Sequence, residues 1–237
     1  GRLRYGGNGR SAKVTNRGAI TVGRGGYAAL IGGRVDNAGT VVVPLGKIGL
    51  AAGELVTLDV SGDGFLQVAL PSEDDGNPDA LITNSGRVSA DGGLIEMKAA
   101  TARNAARNAI NLSGVAEARS VSVRNGAVVL GGGGGGTVRV TGRVTTRAPR
   151  ISAEAVASSL RPQQRPTGGR IDITGAQIAL AGAEIDASGD GGGGLIRIGG
   201  DFAGAGMLAR ADTVTVDAST EIRVDALGQG DGGRTVI

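Results

Sequence analysis

The chain has 237 residues, room for one large domain; 46 are glycine, 2% are aromatic, Cys, His and Trp are absent, and the formal net charge is +3. With 40% hydrophobic residues it does not have a disordered chain's profile, and its glycines lack the strict three-residue period of collagen. Without Cys there are no disulfides or thiolate metal sites, and without His the usual near-neutral acid–base group is missing, so much enzymology is excluded.

The first 35 residues carry seven basic groups and no acid. They open with GRLRYGGNGR, which has neither Met nor the apolar core of a signal peptide, and we expect a fragment of something longer. No apolar run further on is long enough to span a bilayer as a helix. Short alternating segments follow: AITV at 19–22, AALI at 28–31, TVVV at 40–43 and LVTLDV at 55–60. Each has period-two alternation and is bounded by Gly, Asn, Asp or Ser, the pattern of a short strand. PSEDDGNPDA at 71–80 predicts a polar loop, and the Ala-rich MKAATARNAARNAI at 97–110 predicts a short helix or loop outside the strands. Strand-like segments resume with SVSV at 120–123 and TVRV at 137–140. The proline-containing stretch 151–169 predicts an extended excursion. The series closes with RIDI at 170–173, QIAL at 177–180, LIRI at 195–198, TVTV at 213–216, EIRV at 221–224 and RTVI at 234–237. Strand periodicity returns after every interruption, so we expect a single segment over 1–237.

Repetition separates the possible all-β architectures. NRGAI at 16–20 recurs as NAGTV at 37–41 and NSGRV at 84–88, with looser copies NLSGV at 111–115 and NGAV at 125–128. A turn motif repeating near 21 residues, with short strands between, fits a parallel β-helix of about three strands per coil better than a sandwich or barrel. The core candidates are almost all Val, Ile, Leu and Ala, which suit a narrow coil interior, and the glycines fall at corners. Asn16, Asn37, Asn84 and Asn111, with Gly18, Gly39 and Gly86, are the predicted structural turn positions, each Asn able to bond its copy in the next coil. At ~20–24 residues per coil the chain would form about ten coils, a rod of ~50 Å.

Charge varies in blocks: −7 over 36–100, +9 over 101–170 and −6 over 171–237. Arg143, Arg147, Arg150, Arg161 and Arg165 in the basic block are the candidates for binding a polyanion, because guanidinium pairs with carboxylate or sulfate in a fork. The opposing reading is a solvated face whose charges meet acids on neighbouring coils. The GGGGGG run at 131–136 precedes TVRVTGRV, a strand rather than the helix a dinucleotide site needs, and LGKI at 45–48 lacks the remainder of a phosphate loop. SGDG at 61–64, SGDGGGG at 188–194 and GQGDGG at 228–233 share the glycine–aspartate pattern of calcium β-rolls, but not the tandem nonapeptides in which successive turns share an ion. The oxygen-rich loop with Glu73, Asp74, Asp75 and Asp79 is a second calcium candidate. Asp186, Asp217 and Asp225 each follow a β-branched residue in IDAS, VDAS and VDAL, which reads as turn chemistry rather than general acid–base catalysis. Asn111-Leu112-Ser113 is the only N-x-[ST] sequon, and its Asn also suits the turn series. We expect no catalytic residues, no cofactor, no metal and no nucleic-acid partner.

The order of NxGx[IV], an apolar strand, a second NxGx[IV] and then GKIGLAAGELVTLDVSGDGFLQV at 46–68 resembles the large exoproteins of bacterial two-partner secretion, of the filamentous-haemagglutinin kind. NSGRVSADGGLIEMKAATA at 84–102, GAEIDASGDGGGGLIRIGGDF at 182–202 and IRVDALGQGDGGRTVI at 222–237 extend the resemblance over nearly the whole chain. It implies a right-handed parallel β-helix, export through an outer-membrane transporter partner, and an adhesive role in the medium or at the cell surface, with surface glycans as possible ligands. The family's secretion domain carries an NPN-type motif, whereas the only Asn-Pro here is Asn77-Pro78 in an acidic loop, so the resemblance places the chain in the shaft downstream of that domain. Two alternatives are a β-helical polysaccharide lyase or hydrolase, and a matrix or filament component that associates end to end through uncapped coils.

Overall fold

The computed structural model describes residues 1–61, 64–74, 76–122, 124–150 and 165–237. Period-two alternation with β-branched inward residues gives strands of three to six residues, and glycine and asparagine break the chain between them. β1 (Arg2–Gly6) precedes the repeats. The first round is β2 (Lys13–Asn16), β3 (Ala19–Thr21) and β4 (Tyr27–Gly32), and the second is β5 (Arg34–Asn37), β6 (Thr40–Val42) and β7 (Lys47–Ala52). A hairpin of β8 (Leu55–Asp59) and β9 (Leu66–Ala69) intervenes. The third round is β10 (Ile82–Asn84), β11 (Arg87–Ser89) and β12 (Leu94–Ala99), and the fourth is β13 (Arg107–Leu112), β14 (Val115–Glu117) and β15 (Ala127–Gly131). The fifth is β16 (Gly136–Val140), β17 (Arg143–Thr145) and β18 (Arg170–Thr174), and the sixth is β19 (Gln177–Leu180), β20 (Glu184–Asp186) and β21 (Leu195–Ile198). The described residues end with β22 (Thr213–Val216), β23 (Glu221–Arg223) and β24 (Arg234–Val236).

The rounds stack into three seven-stranded sheets, running from β2 to β22, from β3 to β23 and from β4 to β24, all with parallel pairing. This is the architecture of a β-solenoid. Among the described residues there are seven rounds rather than about ten, because β1, the hairpin and the loops around them consume chain without adding a round. Seven strands at ~4.8 Å spacing give a stack of roughly 30 Å.

Parallel register sets like on like inside. Val35, Ile82, Ile110, Val138 and Ile178 share one column of the β2–β22 sheet. With Val41, Val88 and Val144 from the second sheet and Ile48, Ile95, Val128 and Ile171 from the third, they form one continuous buried cluster. In the central rounds the inward side chains lie almost entirely out of water, which at ~25 cal/mol per Å² is the main stabilising term, while those of the first and last rounds are partly buried.

Three elements differ from the sequence expectation. LVTLDV is β8, part of a separate antiparallel sheet of order β1-β8-β9. Val56, Leu58, Phe65 and Leu66 of the hairpin pack on the outer face of the β4–β24 sheet, against Ala29, Ile31, Ala51 and Leu94, so apolar residues that could have lined a coil cover one from outside. Residues 97–110 hold no helix: the loop alternative is present over 100–106, but Met97 and Ala99 belong to β12 and Ile110 to β13, and burying those side chains outweighs the helix preference of alanine. Instead of a strand, Val121 and Arg124 form an isolated antiparallel bridge, and Ser122 adopts positive φ. The loop over 71–80 is present as expected, while the excursion at 151–164 lies outside the described residues.

The hairpin is fastened by an ion pair between the buried Glu96 and the half-buried Lys98. Glu96 Oε2 accepts the Leu66 N–H at 2.6 Å, Lys98 Nζ donates to Leu66 O at 2.7 Å, and Lys98 and Glu96 pair at 2.8 Å. Side chains of β12 therefore satisfy both outward backbone groups of Leu66, which would otherwise be a bare strand edge. Exchanging Glu96 for Ala is expected to leave the Leu66 N–H and the Lys98 ammonium short of a partner and to loosen the hairpin. Amide exchange over 55–69 rising at least tenfold would check this, and exchange matching the wild type would refute it.

Candidate functional site

The recurrent Asn-x-Gly corner joins the first sheet to the second. Asn16, Asn37 and Asn84 are the last residues of β2, β5 and β10, share one register column and point inward. Asn16 Nδ2 donates to Asn37 Oδ1 at 2.8 Å, and Asn37 Nδ2 donates to Asn84 Oδ1 at 2.7 Å. Asn111 stands apart from this ladder: it is level with Thr83, half-buried on the outer face, while Leu112 takes the inward column position, followed by Val140 and Leu180. In NLSGV it is thus Leu-Ser-Gly that aligns with Asn-x-Gly, one residue later than the Asn suggests.

The glycines two residues on form a second column. A Cβ on Gly39 would lie 2.1 Å from Gly18 O, one on Gly86 2.0 Å from Gly39 O, and one on Gly114 2.1 Å from Gly86 O. These positions have no positive φ, so glycine is needed for the close approach of successive corners and not for the backbone angle.

Of the five candidate polyanion-binding arginines, three face carboxylates on the next round. Arg143 Nε donates to Glu184 Oε2 at 2.8 Å, Arg147 lies 3.6 Å from Asp186, and Arg165 Nη1 pairs with the buried Asp190 at 2.7 Å. Arg150 is exposed and Arg161 lies outside the described residues. The acidic loop is also engaged: Glu73 pairs with Arg10 at 2.7 Å and Asp74 lies 3.6 Å from Arg107, and a polar cleft of about 500 Å³ opens between them. Basic and acidic blocks distant in sequence thus meet across rounds. Asp186 Oδ1 accepts the Ser188 N–H at 2.8 Å and Asp217 Oδ1 the Ser219 N–H at 3.1 Å, both two residues on, and the Asp225 N–H donates to Ser188 Oγ. The Gly182 and Ser219 N–H groups and the Thr220 and Ser219 hydroxyls outweigh burial and hold Asp217 at about 2. Among the described residues no three carboxylates converge as a metal site.

Sequence reasoning did not single out Glu54, which lies between the N-terminal segment and the solenoid. This buried carboxylate accepts from the Gly9 N–H at 2.9 Å, the Ser11 N–H at 3.0 Å and the Ser11 and Ser72 hydroxyls at 2.8 and 2.6 Å. Burial pushes the carboxyl up, but these hydrogen bonds together outweigh it and hold the group down at about 2. The folded value is below the unfolded one of about 4.3, so the stability contributed is complete above that pH and lost as pH falls through about 2. Between about pH 5 and pH 2 the unfolding midpoint is expected to drop more steeply in the wild type than in Glu54→Gln; parallel profiles would refute the assignment. An apolar groove of about 550 Å³ lies beside this anchor, lined by Tyr5, Tyr27, Leu30, Val56 and Leu58.

The solenoid, the outer antiparallel sheet and the corner ladders can be set beside known proteins. The chain is similar to a bacterial secretion domain. One similar solved structure is the HMW1 secretion domain from Haemophilus influenzae, matched with a TM-score of 0.71 at 28% sequence identity over 95% of this chain. The match covers 60% of that domain's chain, so this chain spans less than two thirds of its length. No family model matches, and no curated protein matches. No helix among the described residues is long and apolar enough to cross a membrane. The likeness is to a secretion domain, whereas the missing NPN-type motif led us to expect shaft beyond such a domain.

Proposed function

We propose that this chain is part of the secretion domain of a two-partner exoprotein, a right-handed β-helix with three strands per coil exported through a dedicated outer-membrane transporter. The observation that carries the reading is the likeness to the HMW1 secretion domain over 95% of the chain. The order of Asn-x-Gly corners and the GKIGLAAGELVTLDV stretch support the two-partner exoprotein part of the reading. An adhesive role for the intact protein, in the medium or at the cell surface, belongs to the same reading and draws on the family resemblance. We read the chain as non-enzymatic, since Asp186 and Asp217 are committed to turns. Glycan binding by the five arginines has less support, because Arg143, Arg147 and Arg165 already face carboxylates. End-to-end self-association has no observation behind it.

The test uses the full-length exoprotein expressed with and without its transporter. Export into the medium is expected to require the transporter and to fall at least tenfold when residues 1–237 are deleted. Undiminished export of the deletion would refute the reading and return the segment to the shaft.

A further inference from the structure

SGDGGGG at 188–194 and GQGDGG at 228–233, which stand apart in the sequence, lie on consecutive rounds. Gly189 bridges to Ala226, the Gly193 N–H donates to Asp231 O at 3.0 Å, and the Gly228 and Gln229 N–H groups donate to Asp190 O at 3.2 and 2.9 Å. Asp190, at 0% exposure, is enclosed between the two turns. Its Oδ2 accepts from Arg165 Nη1 at 2.7 Å, whereas its Oδ1 accepts no hydrogen bond from the described residues. The glycines leave the space for this pair: a Cβ on Gly228 would lie 2.5 Å from Asp190 Oδ1 and 2.7 Å from Arg165 Nη1.

We propose that this corner is a binding site for a guanidinium cation and that Arg165 is its built-in ligand. A carboxylate buried so completely needs a partner that returns charge and hydrogen bonds together. A guanidinium keeps its charge when buried and offers several N–H donors in one plane, and one of these, Arg165 Nη1, meets Oδ2 while Oδ1 has no partner among the described residues. A divalent cation fits less well: calcium takes six to eight oxygens, and no three carboxylates converge among the described residues. The site's consequence is mechanical. The Gly191 N–H donates to Pro166 O at 2.9 Å, the Gly168 N–H to Gly192 O at 3.0 Å, and the Ala148 N–H to Ser188 O at 2.9 Å. Ala148, Pro166 and Gly168 are thereby fastened to residues 188–192, the turn whose Asp190 Arg165 neutralises. This inference stands apart from the secretion reading.

The test is the thermal unfolding of the whole chain. Arg165→Ala, which leaves Asp190 buried without a cation, is expected to lower the Tm by roughly 10 °C. Guanidinium chloride at about 10 mM, far below denaturing levels, is expected to recover part of that loss when compared with equal NaCl. It should do nothing for the wild type or for Arg165→Ala combined with Asp190→Asn. A gain no larger than with NaCl, or an equal gain in the double variant, would overturn the proposal, and recovery by calcium chloride instead would assign the site to a spherical cation. If Arg165→Ala does not fold, Arg165→Lys decides: a lowered Tm supports the need for a guanidinium rather than any cation, and an unchanged one removes it.

Discussion

Replacing Asn37 with Leu is expected to destabilise the chain by about 3 kcal/mol, although the side chains are similar in size and Leu112 occupies the same column two rounds on. The loss arises from the two neighbours. Asn16 Nδ2 loses the Asn37 oxygen that accepts it, and Asn84 Oδ1 loses the Asn37 amide that donates to it, both inside the stack. Each buried polar group left without a partner costs about 1–3 kcal/mol, more than the net worth of the hydrogen bond itself. The same argument predicts coupling. Asn37→Leu combined with Asn84→Leu removes both ends of one link and is expected to cost at least ~1 kcal/mol less than the separate losses added together. Equilibrium urea unfolding of the two single variants and the double variant reads this directly. A single variant within about 0.5 kcal/mol of wild type would mean that the ladder is not a stabilising element.

The second large effect is a contrast between two glycines in the same motif position. Gly86→Ala places a Cβ 2.0 Å from Gly39 O and 2.7 Å from the Ala38 carbonyl carbon, backbone atoms of the preceding round. No side chain can swing aside, so the corner must open and parallel bonds on either side of it must lengthen. A cost of about 3 kcal/mol is expected, at the top of the usual range for overpacking. Gly18→Ala occupies the same position in the first round, where the nearest atom would be Asn16 Oδ1 at 3.9 Å. With neither a clash nor a positive φ, that change is expected to be neutral or stabilising by up to ~1 kcal/mol, through lower unfolded-state entropy. The urea midpoints of the two variants should therefore move in opposite directions or differ by several-fold. Equal losses would show that conformational preference, and not spacing between rounds, selects glycine here.

Local pattern was legible without the structure. TVVV, TVRV, RIDI, QIAL, LIRI and TVTV are strands as their alternation requires, since the period of two is set by the backbone of each segment alone. Asn16, Asn37 and Asn84 could be paired in advance because they share a motif, and a parallel stack places equivalent residues one above another. Glu54 could not, because its partners Gly9, Ser11 and Ser72 come from two separate loops with no common spacing.

By itself, then, the sequence determined an all-β chain of short strands and glycine corners with a small aliphatic interior. These follow from residue size, alternation and turn chemistry within a few neighbours. Only the tertiary structure decided where equivalent-looking segments go. LVTLDV alternates as a coil strand would, but antiparallel pairing with β1 and packing of Phe65 on the outer sheet take it out of the stack. The two ends of the Ala-rich stretch at 97–110 are strand rather than helix because Met97 and Ile110 are buried in the common core, and 100–106 between them is a loop. A one-residue difference in register puts Leu112 in the ladder column and turns Asn111 outward. Along the chain the arginine block could be a polyanion surface or a face opposite acids on neighbouring coils; the stack decides for the second at Arg143 and Arg165, which meet carboxylates 41 and 25 residues away, because pairing energies are summed in space and not along the chain.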